Sequence, residues 1–200
     1  MVPDEPGGTE GVGYTERLTR LSGAGWKKAL NVQAPYRRNL RRLGLGRVLD
    51  VGCGIGRNLA HLDGNGVGVD HNAGSVAAAR AAGLQAFTPA QFHASESAGS
   101  FDTMLLAHVL EHVDEQTGDA LLREYLPAVR PGGRILLITP QESGYRTDAT
   151  HVRFVDAARA AEHLRRVGAQ VDRSYSFPFP RAVGRVFPYN EFVVSGRLPS

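Results

Sequence analysis

The sequence predicts one α/β domain whose mostly parallel sheet is covered by helices on both faces. Short apolar segments typical of strands alternate with segments of helical periodicity over most of the 200 residues. A glycine-rich turn follows the first of these strands, and an acidic residue ends the second. Strands that alternate with helices form right-handed βαβ units, and such units build a parallel, doubly wound sheet.

Three parts are distinguished along the chain. Residues 1–13 are rich in proline, glycine and acidic residues, which predicts a flexible tail. Residues 14–43 carry apolar residues at loosely helical spacing, which predicts one or two helices that precede the main domain and cover its site. The main domain is predicted over residues 44–200.

The elements of this domain follow from short apolar runs bounded by glycine, proline or acidic residues. Strands are predicted at 47–51, 66–70, 84–87, 103–107 and 134–139, and helices at 57–61, 75–82, 116–129 and 156–167. Gly168 follows the predicted helix 156–167 and is expected to end it. Two further strands, 170–177 and 191–197, are joined by a loop without helix signal, which predicts an antiparallel hairpin at the sheet edge.

Composition bears on where in the cell the protein is found and on what it could bind. The hydrophobic fraction is 42%, and the longest apolar runs are far too short to cross a bilayer. No secretory signal pattern opens the chain, and Cys53 is the sole cysteine, so we expect a cytoplasmic protein without an intrachain disulfide. The densest basic cluster, residues 37–42, is interpreted as a solvated helix face, with a nucleic-acid or acidic-substrate contact as the alternative.

The glycine turn indicates a nucleotide-like ligand. Glycines alternate with other residues over 52–56, where the backbone turns sharply and can approach a ligand closely. A dinucleotide fingerprint begun at Gly52 would need glycine at position 57, which is Arg57. Asp70 ends the second strand, where a carboxylate can accept hydrogen bonds from both hydroxyls of a ribose. The pattern predicts a site with a ribose but no pyrophosphate.

Four segments together identify a family. Residues 50–56, 66–70, 101–113 and 126–139 resemble, in order and spacing, the motifs of class I S-adenosylmethionine (SAM)-dependent methyltransferases. The resemblance implies a Rossmann-like, seven-stranded sheet with an antiparallel C-terminal hairpin, and SAM as the cofactor. The chain departs from the family pattern at 86–90, which lacks the acidic residue expected near the adenine.

The resemblance also implies cofactor-binding residues. Asp70 would hold the ribose, Gly52 and Gly54 would border the amino-acid end of SAM, and Asp50 would help to fix its amino group. Cys53 is expected to be a small loop residue without a nucleophilic role. The predicted cofactor-binding set is Asp50, Gly52, Cys53, Gly54, Asn58, Asp70, His71, Thr88 and Ala107, with Gln91 as an alternative to Thr88 at the adenine.

Three histidines are candidate general bases for a hydroxyl acceptor. His108 and His112 follow the fourth strand, whose carboxyl end faces the ligand crevice, although this segment often has a packing role in the family. His151 lies in a polar segment after the fifth strand, with Asp148 as a candidate orienting group and helix capping as the alternative.

The spacing of His108, Glu111 and His112 also raises the question of a metal. Some family members hold a divalent ion with a Glu-x-x-Glu-His segment, but here His108 replaces the first glutamate. A metal is therefore an alternative, and SAM alone is the predicted cofactor.

We predict methyl transfer to oxygen of a small-molecule, glycan or lipid-linked acceptor. The alternatives are a SAM-binding regulator without catalysis and a nucleic-acid methyltransferase; the second is disfavoured because no Asn/Asp-Pro-Pro-Tyr/Phe run is present. The aromatic loop over 177–190 predicts either a lid for the acceptor or a homodimer contact.

Overall fold

The computed structural model describes residues 33–95 and 99–200. The predicted tail over 1–13 and the predicted helical segment up to residue 32 lie outside these ranges. Within them, a single sheet of seven strands is flanked by helices. None of the helices in the described ranges has both the length and the apolar content needed to cross a membrane.

The described ranges contain seven strands and seven α-helices, numbered here in chain order. The strands are β1 (Val48–Val51), β2 (Gly66–Val69), β3 (Ala86–Phe87), β4 (Phe101–Ala107), β5 (Val129–Pro140), β6 (Gln170–Phe177) and β7 (Glu191–Arg197). The α-helices of the described ranges are α1 (Ala34–Arg42), α2 (Arg57–His61), α3 (Ala73–Ala81), α4 (Pro89–Ser95), α5 (Glu115–Tyr125), α6 (Glu142–Tyr145) and α7 (Ala157–Arg166). Short 3-10 turns occupy Leu110–His112, Leu126–Ala128 and Arg181–Arg185.

The sheet order is β3-β2-β1-β4-β5-β7-β6, which confirms the predicted fold class. Strands β1 to β5 pair in parallel, and β7 lies antiparallel between β5 and β6. From β1 the chain adds β2 and β3 on one side of the sheet. It then crosses back to β4, beside β1, and adds the remaining strands on the other side. This reversal places a crevice at the carboxyl ends of β1 and β4, where ligands bind in open α/β sheets.

Both faces of the central strands are buried. Successive side chains of a strand point to opposite faces, so Met104 and Leu106 join the core under α5 and α7, while Leu105 and Ala107 join a second core with Leu40 of α1. This double burial explains why β4 is an almost continuous apolar run.

Helix α1 is the described end of the predicted N-terminal helical segment, and it packs beside the C-terminal hairpin. The Tyr175 hydroxyl donates to Asn39 Oδ1 at 3.1 Å, and the ring of Tyr36 meets the ring of Phe177 edge-on at 5.5 Å. Arg41 belongs to the basic cluster, and it donates to the carbonyl of His61 at 2.8 Å, which ties α1 to α2.

Several predicted boundaries were wrong, for local reasons. Helix α5 ends at Tyr125 instead of 129, because Pro127 has no N–H to continue it. Strand β5 begins at Val129 instead of 134, and it shifts register against β4 before it becomes regular. Helix α4 was not predicted, although Thr88 and Gln91 form a capping box at its start.

Shorter elements were also mispredicted. Strand β3 has two residues, and β2 ends at Val69, one residue before Asp70. The segments after β5 and after β6, predicted without helix, contain α6 and the 3-10 turn at Arg181–Arg185.

The central strand should be sensitive to cavity formation. Leu105 is fully buried, so Leu105→Ala should lower the free energy of unfolding by about 3 kcal/mol through lost burial and an unfilled cavity. Val186 is 80% exposed, and Val186→Ala should change it by less than about 0.5 kcal/mol. Urea unfolding of both variants measures the difference, and equal losses would contradict the assignment of β4 to the core.

Candidate active site

The candidate site lies where the carboxyl ends of β1, β2 and β4 meet. The glycine turn follows β1, Asp70 follows β2, and His108 follows β4 directly. Because β1 pairs with both β2 and β4, these three segments are brought side by side at one edge of the sheet.

The glycine turn is held by backbone bonds across the sheet edge. The N–H groups of Gly52 and Cys53 donate to the carbonyl of Val69, at 2.8 and 3.1 Å. Gly52 has a φ of +75°, and a Cβ there would lie 2.4 Å from Cγ2 of Val109. A side chain at position 52 therefore would clash with the segment after β4, so this position requires glycine.

Asp50 is a buried carboxylate without a hydrogen-bond partner. Its side chain is fully buried, and neither oxygen accepts a hydrogen bond from any described residue. Burial raises the pKa of Asp50 to about 7. The nearby side chain of Asn58 and the charge of Arg57 counteract part of this rise, and the charge of Asp70 adds to it. An unpartnered buried carboxylate is costly unless a ligand supplies its donor. Asp50 therefore fits a cationic ligand group such as an ammonium.

Asp70 anchors the turn from the opposite side. Its Oδ2 accepts from the N–H of Gly54 at 2.8 Å, and its Oδ1 accepts from the N–H of Asn72 at 2.9 Å. His71 lies half-exposed beside it, with Nδ1 3.8 Å from Oδ1. A carboxylate oxygen can accept a second hydrogen bond, so Asp70 can hold the loop and still receive ligand hydroxyls.

The remaining predicted cofactor residues border the same edge. Cys53 is buried, and burial with the nearby charge of Asp50 raises the pKa of its thiol far above its usual range, so the thiol stays neutral. Ala107 ends β4 and Thr88 follows β3. Both are at carboxyl ends of strands, but the side chain of Thr88 faces Gln91 and starts α4.

His108 lies between two carboxylates. Its Nδ1 is 3.1 Å from Oε1 of Glu111, and its Nε2 is 2.8 Å from Oε1 of Glu191. Desolvation opposes the charged ring, but the two carboxylates prevail and raise the pKa of His108 to about 10. An imidazolium with both nitrogens bonded has no free position that accepts a proton, so the geometry disfavours the role of general base predicted for His108.

His112 and His151 lie beside each other, with ring centroids 4.8 Å apart. The Nδ1 of His112 is 3.2 Å from the carbonyl of Thr150, and the Nδ1 of His151 is 2.7 Å from the carbonyl of Tyr145. Desolvation and the neighbouring His151 lower the pKa of His112, against the opposing charge of Glu111. A neutral imidazole that donates from Nδ1 carries its lone pair on Nε2.

The orienting group of His151 differs from the prediction. Asp148 was the candidate, but it accepts from the backbone N–H and the hydroxyl of Thr150, at 3.0 and 2.8 Å. The carbonyl of Tyr145 orients His151 instead, and the ring of Tyr145 stacks on it with centroids 5.2 Å apart.

Glu111 completes this cluster. It is fully buried, and its Oε2 has no partner among the described residues. The ligand atoms of Glu111, His112 and His151 all lie within 4.8 Å of one another. The sequence had grouped His108 with Glu111 and His112, whereas the fold brings in His151 from 39 positions further along the chain than His112.

Glu191 was missed by the sequence analysis. It begins β7, and the antiparallel register pairs it with Pro140 at the end of β5, next to β4. Its contact with His108 spans 83 positions, and no local signal marks it.

Comparisons with known proteins agree with this architecture. A family model described as a methyltransferase domain matches residues 26–176. The ubiquinone biosynthesis O-methyltransferase of Xanthomonas oryzae is 31% identical over 131 residues, which are 60% of this chain and 51% of that protein. The protein of the same name from Xanthomonas euvesicatoria is 31% identical over 150 residues, which are 70% of this chain and 59% of that protein. The chain thus spans between half and three fifths of the length of these relatives.

Solved structures share the fold. A SAM-dependent methyltransferase from Archaeoglobus fulgidus aligns with a TM-score of 0.64 at 19% identity, over 81% of this chain and 92% of that one. A chain from the complex between the Haloferax volcanii Trm112 methyltransferase activator and the putative methyltransferase aligns with a TM-score of 0.69 at 18% identity, over the whole of both chains. Since the family model covers more than half of the chain, and the fold and glycine turn agree with it, the chain belongs to the class I SAM-dependent methyltransferases.

Proposed function

We propose that this chain transfers the SAM methyl group to a hydroxyl oxygen of a small-molecule acceptor. The observation that carries the proposal is the cluster of Glu111, His112 and His151 beside the carboxyl end of β4, in which one ligand-type atom of each residue lies within 4.8 Å of the others. Transfer to a hydroxyl oxygen requires that the hydroxyl lose its proton, and this cluster supplies the groups for that step. The curated relatives named O-methyltransferase support the same reaction.

The glycine-turn side of the crevice fits SAM. We propose that Asp50 accepts hydrogen bonds from the ammonium of the methionine part, which would satisfy its orphan oxygens. Asp70 would use its free lone pairs for the ribose hydroxyls, and Thr88 would approach the adenine from β3. When bound, SAM supplies an electrophilic methyl carbon: the acceptor oxygen bonds to it, the hydroxyl proton leaves, and the electrons of the carbon–sulfur bond stay on sulfur.

The acceptor side carries exposed apolar groups. The rings of Phe179, Phe187 and Tyr189 contact one another in series, with centroids 5.4 and 5.6 Å apart. Phe179 and Tyr189 are 47% and 44% exposed, and Tyr189 lies two positions from Glu191. Exposed aromatic patches of this kind mark binding surfaces. We propose that they guide an aromatic or lipid-like acceptor toward His112 and His151, in preference to a glycan.

Cofactor binding should depend on pH through Asp50. Its pKa of about 7 lies above the ordinary value, so below pH 7 the free protein holds a proton that an ammonium ligand must displace. The dissociation constant of S-adenosylhomocysteine, which retains the amino group, should rise about tenfold for each pH unit below about 7, within the range where Asp50 is protonated. Asp50→Asn should bind at least about tenfold more weakly at pH 7.5 and lose this slope.

Calorimetric titrations from pH 5.5 to 8 measure both effects. His93→Gln is the matched control, since His93 pairs with Glu124 on α5 and lies outside the proposed site. A slope in Asp50→Asn equal to that of the unmodified chain would contradict the role of Asp50.

Hydroxyl activation should depend on His112 and His151. Each of His112→Gln and His151→Gln should lower kcat at least about 100-fold toward a phenolic acceptor, because the proton of the hydroxyl has no nearby receiving site. The affinity for S-adenosylhomocysteine should stay within about threefold, because neither residue borders the glycine turn. Tritium transfer from methyl-labelled SAM to a panel of phenols, catechols and aliphatic alcohols measures turnover, with His93→Gln as the control. Full turnover in both variants would exclude the cluster from the reaction.

A further inference from the structure

The cluster of Glu111, His112 and His151 has the arrangement of an open metal site. Each imidazole is fixed at Nδ1 by a backbone carbonyl, and the structure records no partner for Nε2 of either ring among the described residues. Glu111 is fully buried, and its Oε2 accepts no hydrogen bond from any described residue. Two imidazoles and one buried carboxylate therefore lie close together, and their Nε2 and Oε2 atoms have no recorded partner among the described residues.

We propose that Glu111, His112 and His151 bind one divalent cation of the zinc class. The three ligand atoms lie within 4.8 Å of one another. Ligands about 2.1 Å from a common ion are about 3 to 4 Å apart, so small side-chain rotations close the site. A cation there supplies the missing partner of the buried Oε2.

The donor atoms select the class of ion. Two nitrogens and one oxygen suit Zn²⁺ and Co²⁺, whereas Mg²⁺ prefers oxygen ligands in an octahedron. His108 is not available as a fourth ligand, because both of its nitrogens are bonded to carboxylates. Three protein ligands leave a coordination position open, as in catalytic zinc sites.

Surrounding contacts fix the ligands in place. The N–H groups of Val152 and Arg153 donate to the carbonyl of Glu111, at 2.8 and 3.2 Å, so the segment that carries His151 is docked on the residue that carries the carboxylate. Ligating histidines in metal sites commonly donate their second N–H to a carbonyl, which orients the ring. Thr150 and Tyr145 provide such carbonyls for His112 and His151.

The catalytic use of the ion rests on the proposed function, whereas its binding does not. With the ion bound, His112 and His151 are ligands and do not accept the proton themselves. An acceptor hydroxyl in the open position would instead lose its proton to solvent, since a bound cation lowers the pKa of an oxygen ligand. The resulting oxygen anion would take up the methyl group, with the electron pair of the carbon–sulfur bond left on sulfur.

Metal titration of the full chain, free of affinity tags and stripped with chelator, tests the inference. Calorimetry with Zn²⁺ should give one site per chain, and Co²⁺ should produce visible absorption bands of a nitrogen and oxygen site. Glu111→Gln, His112→Gln and His151→Gln should each weaken Zn²⁺ binding at least about tenfold, while His93→Gln should not. Millimolar Mg²⁺ should fail to displace Co²⁺.

The outcomes separate the inference from the proposed function. Unchanged Zn²⁺ affinity in all three ligand variants, with S-adenosylhomocysteine binding retained as evidence of folding, would overturn the metal site. Displacement of Co²⁺ by equimolar Mg²⁺ would overturn the zinc class. Stoichiometric Zn²⁺ binding without methylation of any hydroxyl supports the site but contradicts the proposed function. Full methylation by chelator-stripped protein would keep the proposed function and overturn the catalytic use of the ion.

Discussion

The parallel pairing of β1 with β4 is the constraint from which the site follows. Asp50 of β1 lies opposite Leu105 of β4, so the two strands end at the same edge of the sheet and the segments that follow them lie side by side. The chain leaves β1 toward β2 on one side, while β4 has β5 on the other. The crevice between the two connections thus receives the glycine turn from one half and His108 with its neighbours from the other.

Charge divides this crevice into two chemically different halves. On the β1 side, Asp50 is fully buried and accepts no hydrogen bond from the described residues, so this half can receive a positively charged ligand group. On the β4 side, Glu111 and Glu191 share the single positive charge of the His108 imidazolium, so two carboxylates face one cation. Desolvation lowers the pKa of the neighbouring His112, which favours the neutral imidazole that can accept a proton or bind a metal.

The sequence predicted those parts of the fold and the site that depend on neighbouring residues. The glycine turn and Asp70 could be proposed as site residues because their positions follow from spacing along two consecutive strands. His151 was also predicted as a candidate base, but its spacing did not relate it to His112 and Glu111. The loop after β5 must fold back to bring these residues together. Glu191 gave no signal, since its position depends on the register of β7 against β5. Thr88 and Gln91 were considered only as adenine contacts, although their spacing also fits the capping box that starts α4.

His108 stands where the Glu-x-x-Glu-His segment of some family members has a glutamate, and its contacts favour a histidine there. The backbone there has a φ of +60°, a conformation that costs about 1 kcal/mol for most residues but that histidine adopts more readily than most. Glu191 and the buried Glu111 both face this position, so a glutamate at 108 would be a third carboxylate within contact distance of two others. A histidine there forms two ion pairs instead, and these contacts offset the backbone strain. Because both nitrogens of His108 are bonded, the proposed metal-binding set consists of one carboxylate and two imidazoles, a donor set that suits Zn²⁺ better than Mg²⁺.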